Sequence, residues 1–425
     1  MNKCIKYLNN IKTTLIKTDK FKTIVTKVSF INHFNAQNAT KFALLTRILS
    51  NTTKLYNSKK SLNDKLFSMY DASFDITSSA FYKTSVITFT LDVVNGKFVN
   101  DQNIVDEAMR FLHELITNPN AENNKFDESV FNEEKKSLYD SLRRTYDKKS
   151  RYALKKTIEI MCEGTDDILN VSPSGNLFDL EAITNEDVYQ TYLDLLHNSQ
   201  ILIYSIGDFE YDSIFESLNV LSDLKTTDID YQPVCLDDKV ITKVKEKDEI
   251  QDLNQSKLVM GYRSKINALH PLYYGLCIFD TMFGGLYSSD LFRIIREEKG
   301  LAYSVASQVV STEKVMYITA GIDGNNYHLV TDLIIKLHEK YKNGEIDESL
   351  LQTAKENYIA DVKGVYDSPY ALTSFIHRMD ILNSTESLEQ LIDNINNVTV
   401  EDVMLASRAV TLEVIFLLTN KEGNI

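Results

Sequence analysis

Tryptophan is absent from this chain, and cysteine and proline are scarce. The 425 residues include only four cysteines and five prolines. The cysteines are widely separated and form no Cys-x-x-Cys pair, lying at Cys4, Cys162, Cys235 and Cys277. This spacing argues against zinc ribbons and dithiol redox motifs, and isolated thiols are typical of a reducing compartment.

Long apolar runs are also missing. No segment approaches the roughly twenty apolar residues of a membrane-spanning helix, and lysine and asparagine interrupt residues 1–10, which make a poor secretory signal. We therefore expect a cytoplasmic protein with no membrane partner. The 60 acidic and 46 basic residues give a net charge of -14, which argues against a nucleic-acid partner because phosphate neutralisation needs clustered Lys and Arg.

Histidine is too sparse and too scattered for a familiar metal motif. No two of the seven stand three or four apart, at His33, His113, His197, His270, His328, His338 and His377. His377 and Asp380 share a helical face, but two ligands without a third make a weak site. Nucleophile elbows, phosphate loops and dinucleotide glycine fingerprints are absent too.

The most informative segment is residues 282–305, MFGGLYSSDLFRIIREEKGLAYSV. Gly284 and Gly285 predict backbone angles that other residues avoid, and Ser288 or Ser289 is a candidate N-cap for the helix that follows. Gly300 stands where a helix end favours a left-handed residue. The pattern therefore predicts a glycine turn, a short amphipathic helix and a strand.

That segment resembles the C-terminal homology region of the pitrilysin/insulinase family of zinc metallopeptidases, in which a glycine-rich turn precedes a helix ending in Arg-Glu-x-x-Gly-Leu-Ala-Tyr. The resemblance implies two homologous halves arranged as a clamshell, the first carrying His-x-x-Glu-His on a helix. It also implies that Arg296 and Tyr303 bind substrate, and a guanidinium and a phenol can each donate to peptide carbonyls. The alternative is structural: Arg296 pairs with Glu297 or complements the helix end, and Tyr303 packs in the sheet.

The metal motif itself is degenerate when the resemblance is extended to the first half. Residues 61–75 resemble the helix and hairpin that follow the motif, and counting back places the motif on residues 43–47, ALLTR. The ligand positions then carry Ala43 and Arg47, and the position of the water-activating glutamate carries Thr46. Of the family's later Glu-x6-Glu pair, Glu134 is retained but the ligand position is Ser141. These residues supply neither zinc ligands nor a general base, so we expect no catalytic residues, no metal and no cofactor in this chain.

Short internal sequence repeats indicate a duplication. Tyr152-Ala-Leu154 returns as Tyr370-Ala-Leu372, and Ile183-Thr-Asn-Glu-Asp-Val188 resembles Val398-Thr-Val-Glu-Asp-Val403. In the latter pair, Thr and the Asp three residues later predict a capping box. The predicted fold is α+β, with two homologous halves that each form a largely antiparallel sheet with helices on one face.

The polar, charge-rich stretch 222–255 is the predicted linker between an N-terminal half, 1–221, with a degenerate zinc domain, and a C-terminal half, 256–425, that resembles a substrate-binding domain. Residues 22–30 predict a strand, residues 39–49 a helix and residues 73–93 a hairpin.

These features favour a non-catalytic subunit that pairs with a zinc-bearing paralogue and helps to bind peptide substrate in a shared chamber. The chain is similar to the inactive members of a bacterial pair that are linked to elongation factor P modification. Two alternatives remain open at this stage: a stand-alone peptide-binding or assembly module without hydrolysis, and an active zinc metalloendopeptidase with relocated ligands.

Overall fold

A computed structural model describes residues 2–165 and 167–420 and divides into two compact units. Unit 1 combines residues 1–143, 171–232 and 366–381, and unit 2 combines residues 144–170, 233–365 and 382–425. Each unit therefore contains one segment from the far half of the sequence. The predicted boundary at 222–255 stays a prediction; this stretch contains one strand, Lys245–Ile250.

The strands are β1 (Asn2–Leu8), β2 (Ile11–Lys17), β3 (Thr23–His33), β4 (Ser73–Phe81), β5 (Thr84–Val94), β6 (Ala121–Glu122), β7 (Lys125–Phe126), β8 (Gln200–Gly207), β9 (Lys245–Ile250), β10 (Ser256–Ser264), β11 (Ala302–Val310), β12 (Val315–Ile322) and β13 (Val410–Thr419). The strand and hairpin predicted for residues 22–30 and 73–93 are confirmed as β3 and as β4 with β5.

The α-helices are α1 (Ala36–Leu49), α2 (Lys59–Ser68), α3 (Ile104–Thr117), α4 (Glu128–Asp147), α5 (Lys149–Cys162), α6 (Leu177–Ala182), α7 (Asn185–Asn198), α8 (Tyr211–Leu218), α9 (Tyr273–Asp280), α10 (Tyr327–Lys342), α11 (Glu348–Gly364), α12 (Pro369–Ile381), α13 (Leu388–Asn396) and α14 (Val400–Arg408). Two π-helical segments, Thr281–Gly285 and Leu291–Glu298, follow α9. Among the described residues, no helix is long and apolar enough to cross a membrane.

The sheet of unit 1 has the order β1-β2-β8-β3-β5-β4. Its pairs are antiparallel except β2 with β8. Side chains alternate between the two faces of the central strand β3. Val28 and Phe30 join the core beneath α1, α3 and α7, whereas Lys27 meets α12 on the other face.

The sheet of unit 2 has the order β11-β12-β10-β13-β9 and is antiparallel except for β13 with β9. When this sheet is read from its other edge, the order is β9-β13-β10-β12-β11, which corresponds to β2-β8-β3-β5-β4 in unit 1. Corresponding strands also follow one another in the same order along the chain. Helix α5 packs on one face of this sheet, where Ile160 and Met161 join a cluster with Val259 and Phe416. The fold is α+β with two mixed sheets flanked by helices, and the predicted structural equivalence of the two halves is confirmed.

The predicted capping boxes are also confirmed. Thr184 accepts a hydrogen bond from the Asp187 backbone at the start of α7, and the Asp187 side chain accepts one from the Thr184 backbone. Thr399 and Asp402 repeat this arrangement at the start of α14. The two helices that lead into β8 and β13 therefore begin in the same way.

Candidate functional site

Helix α1 carries the degenerate motif in unit 1. It begins at the capping residue Asn35 and buries the face that includes Ala43 and Thr46. Both residues are 7% exposed, and the Thr46 hydroxyl donates to the Ala43 carbonyl oxygen at 3.2 Å. A methyl group and a hydroxyl bonded within its own helix offer neither a zinc ligand nor a general base.

Arg47 connects α1 to α4. Its Nη1 donates to Ser137 Oγ at 3.1 Å. One turn earlier on α4, the buried carboxylate of Glu134 lies 3.4 Å from the ammonium group of Lys59. The hydrogen bond from Lys59 to Glu133 and the negative charge of Glu134 raise the pKa of Lys59. Glu134 therefore contributes to an ion pair between α4 and α2.

Ser141, the predicted ligand position on α4, is partly exposed and two turns beyond Glu134. The donor set on α1 and α4 is thus a methyl, two hydroxyls, a guanidinium and one paired carboxylate. This set does not fit the zinc site that the resemblance implies. Across residues 2–165 and 167–420, no group of three or more His, Cys, Asp and Glu side chains is arranged to hold a metal ion.

The histidine pair weighed from sequence lies elsewhere in unit 1. Asp380 accepts from Lys12 Nζ and from the Tyr204 hydroxyl, each at 2.9 Å, and His377 stacks on Tyr204 with ring centroids 5.3 Å apart. Burial and the positive charge of Lys27 lower the pKa of His377 to about 4. The pair therefore joins α12 to the sheet through a buried polar cluster.

In unit 2, the glycine pair allows two elements to approach closely. Neither Gly284 nor Gly285 has a positive φ, so the predicted reason for this pair is wrong. A Cβ atom at Gly284 would lie 2.6 Å from the backbone nitrogen of Ser307 on β11. Gly284 is needed because the turn Thr281–Gly285 packs directly against that strand.

Asp280, which sequence reasoning missed, fixes the same contact. Its carboxylate accepts from the Ser307 hydroxyl at 2.6 Å and from the Val309 backbone N–H at 3.2 Å. Burial raises the pKa of Asp280, and these two hydrogen bonds oppose that rise. The only signal in the sequence was an acidic residue at the end of the apolar run 276–279.

The short helix Leu291–Glu298 presents Arg296. Leu291 and Ile295 are fully buried, which fixes the rotation of the helix. The predicted serine cap is wrong, because Asp290 occupies the N-cap without a side-chain cap bond and Ser289 Oγ donates to the Leu286 carbonyl oxygen. The predicted left-handed residue after the helix is confirmed, with a φ of +61° at Gly300.

The guanidinium of Arg296 is partly exposed. It stacks over the Phe292 ring at 4.5 Å from the centroid and lies 3.7 Å from Glu297. A surface ion pair of this kind is weak, roughly 0–1 kcal/mol. Tyr287 packs edge-on against Phe292, with ring centroids 5.2 Å apart. The guanidinium thus stacks on a ring, and no acceptor for its N–H donors is found in residues 2–165 and 167–420.

Tyr303 projects from the edge strand of the sheet. Strand β11 is terminal in the strand order, and its register with β12 shifts between Ala302 and Ser304, so Tyr303 is the extra residue of a β-bulge. Bulges re-aim a side chain out of the regular alternation. The side chain of Tyr303 is 76% exposed, so it does not pack in the sheet.

Neither of two described cavities includes these residues. One of about 1030 Å³ lies in unit 1 at the carboxyl ends of β5 and β8, and one of about 440 Å³ lies in unit 2 beside the start of α9. The candidate groups are thus surface features, suited to an extended ligand better than to an enclosed small molecule.

Comparison with known proteins supports the class that the fold and the degenerate motif indicate. The protein-family model described as "Peptidase M16 inactive domain" matches residues 182–358, which include Arg296 and Tyr303. Over these residues the chain is similar to M16 peptidases of the inactive type.

Three individual proteins define this similarity further. The "Probable inactive metalloprotease YmfF" of Bacillus subtilis (strain 168) is 28% identical over 430 residues, covering 99% of this chain and 100% of the relative. The "Uncharacterized zinc protease YmxG" of the same strain is 27% identical over 178 residues, covering 41% of this chain and 43% of that relative. The crystal structure of a conserved protein from Enterococcus faecalis V583 superposes with a TM-score of 0.92 at 25% identity, covering 100% of both chains.

Proposed function

We propose that this protein is the non-catalytic subunit of a heteromeric peptidase and helps to hold peptide substrate for a zinc-bearing paralogue. The observation that carries the proposal is the combination of a degenerate metal helix in unit 1 with the solvent-accessible side chains of Arg296 and Tyr303 in unit 2. The partner would bind the metal through its own His-x-x-Glu-His helix and activate water. This chain would orient the substrate backbone.

The absence of catalytic groups on α1 and α4 supports the proposal that this subunit is non-catalytic. Ala43, Thr46 and Arg47 stand where the resemblance requires two ligands and a base, and Ser141 stands at the third ligand position. Restoring the site would need several simultaneous substitutions. Helix α1 is nevertheless buried and capped, as expected for a helix that keeps a structural role without a catalytic one.

The geometry around Arg296 and Tyr303 supports peptide binding. An edge strand presents unpaired backbone N–H and C=O groups that an extended peptide can pair with. Tyr303 stands on such a strand at a bulge, and Arg296 lies in the last turn of the helix that precedes this strand. A phenol and a guanidinium at this edge can donate to the carbonyls of the added segment without selecting its side chains.

The relatives support a pair of proteins. Bacillus subtilis contains both a relative named as an inactive metalloprotease and one named as a zinc protease. A shorter match to the zinc protease is compatible with a diverged paralogue. We propose that the present chain has a zinc-bearing counterpart of this kind.

Co-purification with the zinc-bearing paralogue tests the pairing. Tagged protein should retain the paralogue from a mixture of the two purified chains, and the complex should elute as a single species of the summed mass. Peptide binding with no retained paralogue would instead favour a stand-alone peptide-binding module.

Peptide affinity of variants tests the proposed binding residues. Arg296→Gln removes the cation, and Tyr303→Phe removes the phenol while keeping the ring. Each should weaken binding of a labelled extended peptide, measured by fluorescence anisotropy, by about fivefold to tenfold for a lost, partly exposed hydrogen bond of about 1–1.4 kcal/mol. Arg293→Gln is the matched control, because Arg293 is on the same helix but pairs with Asp290 and Glu298. Equal affinities in all four proteins would contradict the assignment.

The pathway that we propose for the pair is the one with which similar inactive members are linked, elongation factor P modification. Deletion of the gene for this chain should then change the intact mass of elongation factor P purified from the host. An unchanged mass would remove the pathway from the proposal without affecting the pairing.

A further inference from the structure

Arg47 has hydrogen-bonding capacity that the fold does not use. Its guanidinium is half-buried between α1 and α4, and Ser137 Oγ, at 3.1 Å from Nη1, is the acceptor found for it among the described residues. No Asp or Glu oxygen in residues 2–165 and 167–420 lies within 4 Å of it. A guanidinium carries five N–H donors, so most of them have no protein acceptor.

Other cations that are withdrawn from solvent have acceptors that match their donors more fully: buried Lys27 donates to the Tyr370 carbonyl oxygen and Ser374 Oγ, and two others have carboxylate partners. Arg263 contacts both Glu413, at 2.7 Å, and Asp167, at 2.8 Å. Lys12 contacts Asp380 at 2.9 Å. Arg47 has neither a carboxylate partner nor a second acceptor among the described residues, and its partial burial is unfavourable until an anion arrives.

The buried acid on α4, Glu134, does not fill this role. Glu134 lies one turn before Ser137, but it is within 3.4 Å of Lys59, which also binds Glu133 at 2.7 Å. The C-terminal end of α1 favours a cation through its dipole. That attraction stabilises the charge but does not provide acceptors for the N–H groups of Arg47.

Ser137 adds a second donor at the same point. Its oxygen accepts from Arg47, and its hydroxyl hydrogen has no acceptor among the described side chains and backbone groups. A hydroxyl and a guanidinium joined in this way can both donate to one oxygen pair. A carboxylate matches this arrangement because its two oxygens accept from the guanidinium in parallel while one of them also accepts from the hydroxyl.

We propose that Arg47 and Ser137 form a carboxylate-binding site on unit 1, at the position where the resemblance would place a metal ligand. A resident guanidinium thus supplies positive charge there without a metal. The carboxylate belongs to a peptide, as its C-terminus or as an acidic side chain; this source rests on the proposed function, whereas the site itself does not.

Thermal unfolding in sodium acetate against sodium chloride, at equal ionic strength, tests the site without any peptide. Acetate should raise the unfolding midpoint of the wild-type protein relative to chloride, because a ligand that binds only the folded state stabilises it. Arg47→Gln should abolish the difference, and Arg47→Lys should keep only part of it because an ammonium lacks the planar fork. Arg143→Gln, at an exposed position on α4, is the matched control and should behave as wild type. An acetate effect that is absent from the wild type, or equal in wild type and Arg47→Gln, would overturn the inference.

Anisotropy with matched peptides identifies the source of the carboxylate. A peptide acid should bind about tenfold more tightly than its amide if the C-terminus is recognised, and Arg47→Gln should remove that preference. If acid and amide bind alike but an Asp-containing peptide binds more tightly than its Asn counterpart, an acidic side chain is the ligand. Peptides that fail to bind the wild type, together with a positive acetate result, would contradict the proposed function and leave the site intact.

Discussion

At the scale of single residues, two buried imidazoles make the folded chain sensitive to acid. His338 in unit 2 lies among Tyr262, Phe279 and Phe283 and bonds the Ser407 carbonyl oxygen through Nε2 at 3.0 Å. Burial and the charge of Lys342 lower its pKa to about 4. His377 in unit 1, whose pKa is also lowered to about 4, stacks on Tyr204 and lies near Lys27 and Asp380. Both imidazoles are thus neutral in the folded protein at pH 7.

The first prediction concerns the pH dependence of stability. A folded-state pKa below the unfolded value means that the unfolded chain binds more protons between about pH 4 and 6.5, so each histidine lowers the free energy of unfolding as the pH falls through that window. The loss at pH 5 should be about 2 kcal/mol per histidine relative to pH 7. Denaturant unfolding of wild type and His377→Phe at both pH values measures it, because carboxylates contribute equally to the two proteins. The same pH slope in both would contradict the prediction.

The second prediction concerns the glycine pair. Gly284→Ala should destabilise unit 2 by about 1–3 kcal/mol, because the new methyl group would lie 2.6 Å from the backbone of Ser307. Gly364→Ala is the matched control, since a Cβ there meets nothing within 4 Å. The midpoints of denaturant unfolding provide the measurement; a Gly284→Ala protein as stable as the control would show that the turn and β11 are not packed as described.

The sequence predicted the position of segment 282–305 better than it predicted the contacts within that segment. The left-handed Gly300 was predictable because the angle is a local property of a helix end. The roles of Gly284 and of the Asp280 carboxylate depend on contacts with Ser307 or Val309 of β11. These residues are more than twenty positions away in sequence, so local patterns could not reveal the contacts. The exposure of Tyr303 likewise follows from a bulge in the pairing with β12, which the sequence does not mark.

At the scale of elements, capping and periodicity carry most of the predictable information. The Thr-x-x-Asp starts of α7 and α14 were predictable because each cap is formed within four residues. The hairpin of β4 and β5 was predictable from strand propensity and turn residues. A further trace of duplication was overlooked: Asn95 and Asp323 each accept from the backbone N–H two residues later, in the turns that follow β5 and β12.

The third prediction compares the two capping boxes. Thr184→Ala and Thr399→Ala should each lower the free energy of unfolding by about 1 kcal/mol, since each leaves a helix N-terminus without its side-chain acceptor. Thr184→Ser and Thr399→Ser retain the hydroxyl and should lose much less. Comparable losses in the Ala and Ser proteins would mean that packing of the threonine methyl, and not the cap, is responsible.

At the scale of the whole molecule, the two sheets repeat one strand order, yet each compact unit includes a helix from the other half of the sequence. The echo of Tyr152-Ala-Leu154 in Tyr370-Ala-Leu372 identified α5 and α12 as equivalent helices. This repeat did not indicate on which sheet α5 or α12 packs, because the apolar face of a helix can pack on either sheet. Fold class and duplication were therefore predictable, whereas the composition of the units was not.

The candidate site was predictable to a similar extent. The resemblance identified Arg296, Tyr303 and the degenerate positions on α1 and α4, and the structure supplies their surroundings: an aromatic support for Arg296, a bulge for Tyr303 and an acceptor for Arg47. Those surroundings arise from pairing and packing between distant segments.

The central claim is that this chain binds peptide but leaves bond cleavage to a zinc-bearing partner, and peptidase activity of the separated and combined chains tests it most directly. We predict no peptide cleavage by this chain alone, weak cleavage by the zinc-bearing paralogue alone, and strong, chelator-sensitive cleavage by the mixture that falls when Arg296→Gln replaces the wild type. Chelator-sensitive cleavage by this chain alone, at the rate of the mixture, would contradict the account.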